Sequence, residues 1–126
     1  MDTTELHNHV DRLIRAPGDG AFLIISVSGT DDFLQLTGDP QGVQIDFPLI
    51  TKRQLSLESK IRLTAEAEGL VVVENKGSDG SRFLDIDIEE DVAGVTRVCR
   101  MLLREVFGAG EAARLKFEGD GLAQQF

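Results

Sequence analysis

The chain has 126 residues, enough for a single domain spanning 1–126. Its balance of 41% hydrophobic and 28% charged residues is that of a water-exposed globular fold rather than a disordered or membrane-spanning one. A formal charge of −9 and a pI near 4.6 oppose binding to a phosphate backbone, so no nucleic-acid partner is expected. No apolar run is long enough to cross a bilayer, and Met1–Val10 lacks the basic region and apolar core of a signal peptide, so cytoplasmic residence without membrane insertion is the expectation.

Residues 3–16 read as a first helix, with Thr3 or Thr4 as its cap and Leu6, Val10, Leu13 and Ile14 as a narrow apolar stripe. Pro17 and the glycines at 18 and 20 stop it. Residues 21–28 form a strand in which both alternating sets are apolar, Phe22 with Ile24 and Leu23 with Ile25 and Val27, which predicts cover on both faces. Strands at 33–37 and 43–49 complete a meander; Val43, Ile45 and Phe47 point one way, Gln44 and Asp46 the other. A second helix lies within 51–68, opened either by a capping box of Thr51 with Gln54 or, if shorter, by Ser56, and closed by Gly69.

Strands at 70–75 and 82–88 follow, the latter with Leu84, Ile86 and Ile88 on one side and Phe83, Asp85 and Asp87 on the other. The strongest helical pattern runs from Glu90 to Gly108. Asp91 caps it, Val92, Val95, Cys99, Leu102, Leu103 and Val106 form its stripe, and Gly108 closes it. Residues 113–119 are a candidate short last strand with Leu115 and Phe117 inward, and 119–126 are expected to be a frayed tail. The fold class is therefore α+β, an antiparallel five-stranded sheet with helices packed on it in the order α-β-β-β-α-β-β-α.

The residues hold no reaction signature. Asp85, Asp87, Glu89, Glu90 and Asp91 make the densest acidic patch, but a strand running into a helix is not the Gly-turned loop that a hard cation requires, so it reads as a solvated face plus helix-start acids, or as a docking surface for a basic partner. His7 and His9 are two apart on a helix and point in different directions, so they read as surface histidines. The lone Cys99 sits on an apolar stripe and reads as core. No phosphate loop and no nucleophile elbow is present. The expectation is a non-enzyme with no catalytic residue, no cofactor and no metal.

The order helix, three strands, helix, two strands, helix resembles that of the class I type III secretion chaperones and their superfamily. Within it the chain is most similar to the bacterial chaperone-like domains called TY-Chap. The similarity lies in Phe33-Leu34-Gln35-Leu36, in Leu55-Ser56-Leu57-Glu58 leading to Gly69, and in Leu103-Arg104-Glu105-Val106-Phe107-Gly108. Gly69 is followed by Leu70 where those domains often carry Trp, and Phe83-Leu84-Asp85-Ile86-Asp87 replaces their aromatic-rich stretch.

The resemblance implies a protein-binding module, a chaperone or adaptor for a secreted or toxin-associated bacterial protein, often homodimeric. An immunity-type inhibitor whose acidic face meets a basic toxin is the alternative, and a small metal-dependent enzyme ranks third. The expected protein-binding residues are Phe22, Ile24, Phe33, Gln35, Phe83, Asp85 and Asp87. The outward apolar set of the first strand is covered either by a partner chain or by the first helix.

Overall fold

Strand alternation sorts the side chains into an inward and an outward set, and the computed structural model shows what each set meets. It describes residues 1–16, 20–39 and 42–123. The elements are α1 (Thr3–Ile14), β1 (Phe22–Val27), β2 (Phe33–Asp39), β3 (Gly42–Leu49), α2 (Lys52–Ser56), α3 (Glu58–Ala67), β4 (Val72–Lys76), β5 (Arg82–Ile88), α4 (Val92–Phe107) and β6 (Leu115–Asp120). One sheet holds all six strands in the order β4-β5-β3-β2-β1-β6, each antiparallel to its neighbours.

The α+β class and the antiparallel sheet are as expected, but the described residues form six strands rather than five and four helices rather than three. The sixth strand is the short segment expected near 113–119. It pairs with β1 from Val27–Leu115 to Phe22–Asp120 and brings Leu115 and Phe117 to the inward face. Only two apolar residues mark it, so its place in the sheet comes from the partner strand and not from its own pattern.

The middle helix divides at Leu57. Thr51 and Gln54 form the expected capping box, with the Gln54 N–H donating to Thr51 Oγ1 at 3.1 Å and the Thr51 N–H donating to Gln54 Oε1 at 3.0 Å. Ser56 caps nothing, since its hydroxyl donates back to the Arg53 carbonyl. The break has a packing cause: α2 buries no residue, whereas Leu57 turns inward and α3 buries Ile61 and Ala65.

α4 is the roof of the core. The Asp91 carboxylate accepts from the Gly94 N–H at 2.9 Å, and Gly108, at φ 71°, takes the left-handed conformation that closes the last turn. Val95, Val98, Cys99, Leu102, Leu103 and Val106 are buried against Leu23, Ile25, Leu34, Leu36, Ile45, Leu84 and Ile86 of the sheet. Burial pushes the Cys99 thiol up to about 12, so it remains protonated at neutral pH.

α1 lies beside α4 on this same face. Leu6, Val10 and Leu13 are buried there, and Leu13 packs over Gly38 of β2. Its cap is Asp2 rather than Thr3 or Thr4, the Asp2 carboxylate accepting from the Glu5 N–H at 3.1 Å. His9 is not a free surface histidine: its ring stacks on Phe117 with centroids 4.1 Å apart, while His7 is exposed. The expected frayed tail does not hold for Gly119, Asp120 or Ala123, because Gly119 and Asp120 belong to β6 and Ala123 exchanges two hydrogen bonds with Arg12; residues 124–126 lie outside the described residues. No described helix is long and apolar enough to cross a membrane.

Leu102 is wholly buried at the middle of α4. Leu102→Ala is expected to lower the unfolding free energy by about 2–5 kcal/mol, through lost transfer energy and the cavity left behind, as measured by urea denaturation.

Candidate functional site

With α1, α3 and α4 on the inward face, the opposite face of the sheet carries no helix among the described residues. The first helix therefore does not cover the outward set of β1. Phe22 and Ile24 are half-buried rather than sealed, while Leu23, Ile25 and Val27 are buried. The expectation of cover on both faces fails among the described residues, because α1 finds its apolar partner in α4 instead.

The strand register places the outward residues in three rows. The middle row runs Val73, Asp85, Asp46, Gln35, Ile24, Glu118 from one edge to the other. A second row runs Asp87, Gln44, Thr37, Phe22, Asp120. Toward the opposite end lie Asn75, Phe83 and Pro48, with Phe33, Ser26 and Lys116 across the sheet. All seven residues expected to bind protein, Phe22, Ile24, Phe33, Gln35, Phe83, Asp85 and Asp87, thus share one face although they come from three separate parts of the chain. The rest of the acidic patch does not join them: Glu89 and Glu90 are exposed after β5, and Asp91 is occupied as a helix cap.

The centre of this face holds a pair that the sequence alone did not reveal. Asp46 and Asp85 are directly opposed on β3 and β5. Burial, then a hydrogen bond with Asp85 and its charge, pushes the Asp46 carboxyl up to about 7. Asp46 therefore keeps its proton well above the usual carboxylate range. Asn75 Nδ2 donates to Asp85, and Gln44 Nε2 donates to Asp87 at 3.1 Å, so the neighbouring carboxylates are steadied by amides rather than by cations. Asp46 Oδ1 is shut off from solvent and has no hydrogen-bond partner. Among the described residues, no group of three or more His, Cys, Asp and Glu side chains is arranged to hold a metal ion.

At one end of the face the sheet forks. Pairing of β2 with β3 stops at Gln35–Asp46, whereas β1–β2 pairing continues to Ser26–Phe33 and β3–β5 pairing to Leu49–Arg82. Pro48, with no N–H, cannot prolong the β2–β3 ladder. A cavity of about 840 Å³ opens in the fork. Phe33, Phe47, Pro48, Leu57, Ile61 and Phe107 give it apolar walls, while Ser26, Thr30, Asp31, Asp32, Thr51, Arg53 and Gln54 line its polar side.

Its rim is held by a two-pronged ion pair: Arg53 Nε donates to Asp32 Oδ1 at 3.2 Å and Nη2 to Oδ2 at 3.0 Å. Asp32 is 8% exposed, so this pair fastens α2, which buries nothing of its own, to the β1–β2 turn. Neither the Asp46–Asp85 contact nor the Arg53–Asp32 contact was expected. The only available signals were Asp46 on the polar side of its strand and a Pro inside the same strand.

Comparison with family models, with curated proteins and with solved structures returned no match to this chain.

The proton held by Asp46 has a stability consequence. A carboxyl whose folded pKa is raised binds its proton more tightly in the native state, so the folded form is favoured at low pH and that advantage is lost as pH rises from about 4 to about 7. Glu58 and Glu74, held low chiefly by hydrogen bonds from Arg82, act in the opposite sense but only as pH falls below about 4.5, outside this window. Asp46→Asn is expected to flatten the decline between pH 5 and 8. At pH 8 it should add about 1–2 kcal/mol, after discounting for solvent screening on a half-open face, by urea denaturation at the two pH values.

Proposed function

We propose that this chain is a non-enzymatic protein-binding module, an adaptor or chaperone that docks a basic, partly apolar polypeptide on the open face of its sheet. The observation that carries this is the composition of that face: Phe22, Ile24, Phe33, Pro48 and Phe83 interleaved with Asp85, Asp87, Glu118 and Asp120, against Lys116 as the single cation among its described strand residues. Apolar area supplies the driving force for association, and a field of one sign selects and steers a partner of the other.

A second copy laid face to face would oppose these carboxylates to themselves, so a different, cationic chain suits the surface better than its own twin. The element order resembles that of secretion chaperones, which supports a partner of the secreted or toxin-associated kind. An inhibitor of a basic toxin would use the same acidic face.

The test is calorimetric titration with three synthetic peptides: alternating Lys and Leu, alternating Glu and Leu, and alternating Lys and Ser. The Lys–Leu peptide is expected to bind and the other two to bind far more weakly. The double reversal Asp85→Lys with Asp87→Lys should weaken the Lys–Leu complex by roughly tenfold or more and reduce its salt dependence. Equal binding of all three peptides, or indifference to the reversal, removes the proposal.

A further inference from the structure

The open face and the cavity in the fork are not separate features. Phe33, Pro48 and Ser26 belong to both, so a chain lying across the sheet reaches the cavity mouth without leaving the surface. The walls of the cavity are the hydrophobic side chains of two layers seen end-on: Phe47 and Phe107, ring centroids 6.2 Å apart, with Leu57 and Ile61 behind them. A volume of about 840 Å³ lies within the range of sites that bury most of an apolar ligand, and it has room for more than one large side chain.

The mouth is acidic. Asp32 is neutralised by Arg53, but the exposed Asp31 beside it makes no ion pair among the described residues. An occupant with a cationic flank is therefore favoured over one with an anionic flank.

From this continuity of surface, the apolar walls and the sign of the rim we infer that the cavity is the anchor site for a basic partner segment, taking an aromatic side chain of that segment between Phe33, Phe47 and Phe107 while its Lys or Arg neighbours face Asp31 and the carboxylates of the sheet. The inference rests on the docking function proposed above and adds to it where the binding energy is concentrated. Aromatic anchors in desolvated pockets dominate the energetics of protein interfaces, whereas charged contacts on an open face chiefly set the rate and choice of encounter.

The chain contains no Trp and no Tyr, so the emission of a Trp-bearing probe reports the probe alone. The probe is a Lys–Leu peptide with a single central Trp, compared with the same peptide carrying Ala in its place. On titration with the native protein the Trp emission should shift to the blue, and the Ala peptide should bind roughly tenfold or more weakly. Ser26→Phe, which narrows the mouth from a half-buried outward position, should abolish the blue shift and remove the preference for Trp over Ala. Asp31→Lys, an exposed change, should weaken the Trp peptide several-fold while leaving the melting temperature unchanged. It serves where Ser26→Phe fails to fold.

If the peptides bind with Trp emission unshifted, or if Trp and Ala peptides bind equally, the anchor is overturned while docking on the face stands. If no Lys–Leu peptide binds at all, both are overturned. Tight binding of a long-chain fatty acid in place of the peptide, or a dimer in light scattering that Ser26→Phe dissolves, overturns the anchor in favour of a small-molecule site or a second copy.

Discussion

Burial on one side only is the constraint from which the rest of this structure follows. The inward side chains of β1, β2, β3 and β5 from Leu23 to Ile86 are mostly sealed beneath α1, α3 and α4, Leu23, Ile25, Leu34, Leu36, Ile45, Leu84 and Ile86 completely. Each large side chain so buried contributes roughly 1.5–3 kcal/mol before conformational entropy is charged. No described helix remains for the outward face, and its Phe and Ile side chains stay half-buried among one another.

The edge of this arrangement is tied down electrostatically. Arg82 and Arg62 bridge Glu58 on α3 and Glu74 on β4, with contacts of 2.8 to 3.1 Å. The network links the least buried strand to the helix layer where hydrophobic contact is thin. At the same end of β3, on its β2 side, the Arg53–Asp32 pair plays a comparable part for α2. Isolated surface pairs contribute little to stability, but a shared network and a two-pronged contact with a nearly buried carboxylate hold geometry. That geometry keeps the fork between β2 and β3 framed rather than collapsed.

Much of this was legible in the sequence because it depends on local period. The α4 stripe, its Asp91 and Gly108 ends, the capping box at Thr51, and the inward and outward sets of β3 and β5 are all fixed by neighbours within one or two turns. The site was legible only in its parts. Phe22, Gln35 and Asp85 could each be assigned an outward direction, but their assembly into one surface depends on the register of strands up to about sixty residues apart, which no local pattern encodes. The Asp46–Asp85 pair is a product of that register, and so is the sixth strand, whose alternation is only two apolar residues long before Gly119 interrupts it. The assignment of α1 failed to follow from sequence for a related reason: an amphipathic stripe declares that it needs a partner, not which layer supplies it.

The outward face combines two properties that ordinarily exclude each other. A carboxylate opposed to a carboxylate is costly across a pair of strands, and a Phe beside an acid leaves apolar area in contact with water. Asp46 meets the first cost by holding a proton to about pH 7, and Asn75 and Gln44 supply donors to the remaining charges. Both costs fall on the stability of the free domain.

The pairing of β1 with β6 also dictates the order in which the molecule can protect itself. β1, with apolar residues on both sides, leaves the ribosome well before its neighbour, because one of its hydrogen-bonding edges is satisfied by residues 115–120, about ninety positions later. Throughout synthesis of the intervening chain that edge stands open as a template for stray strands, so the hazard to a nascent copy is greatest in a crowded polysome and ends only when the closing strand arrives.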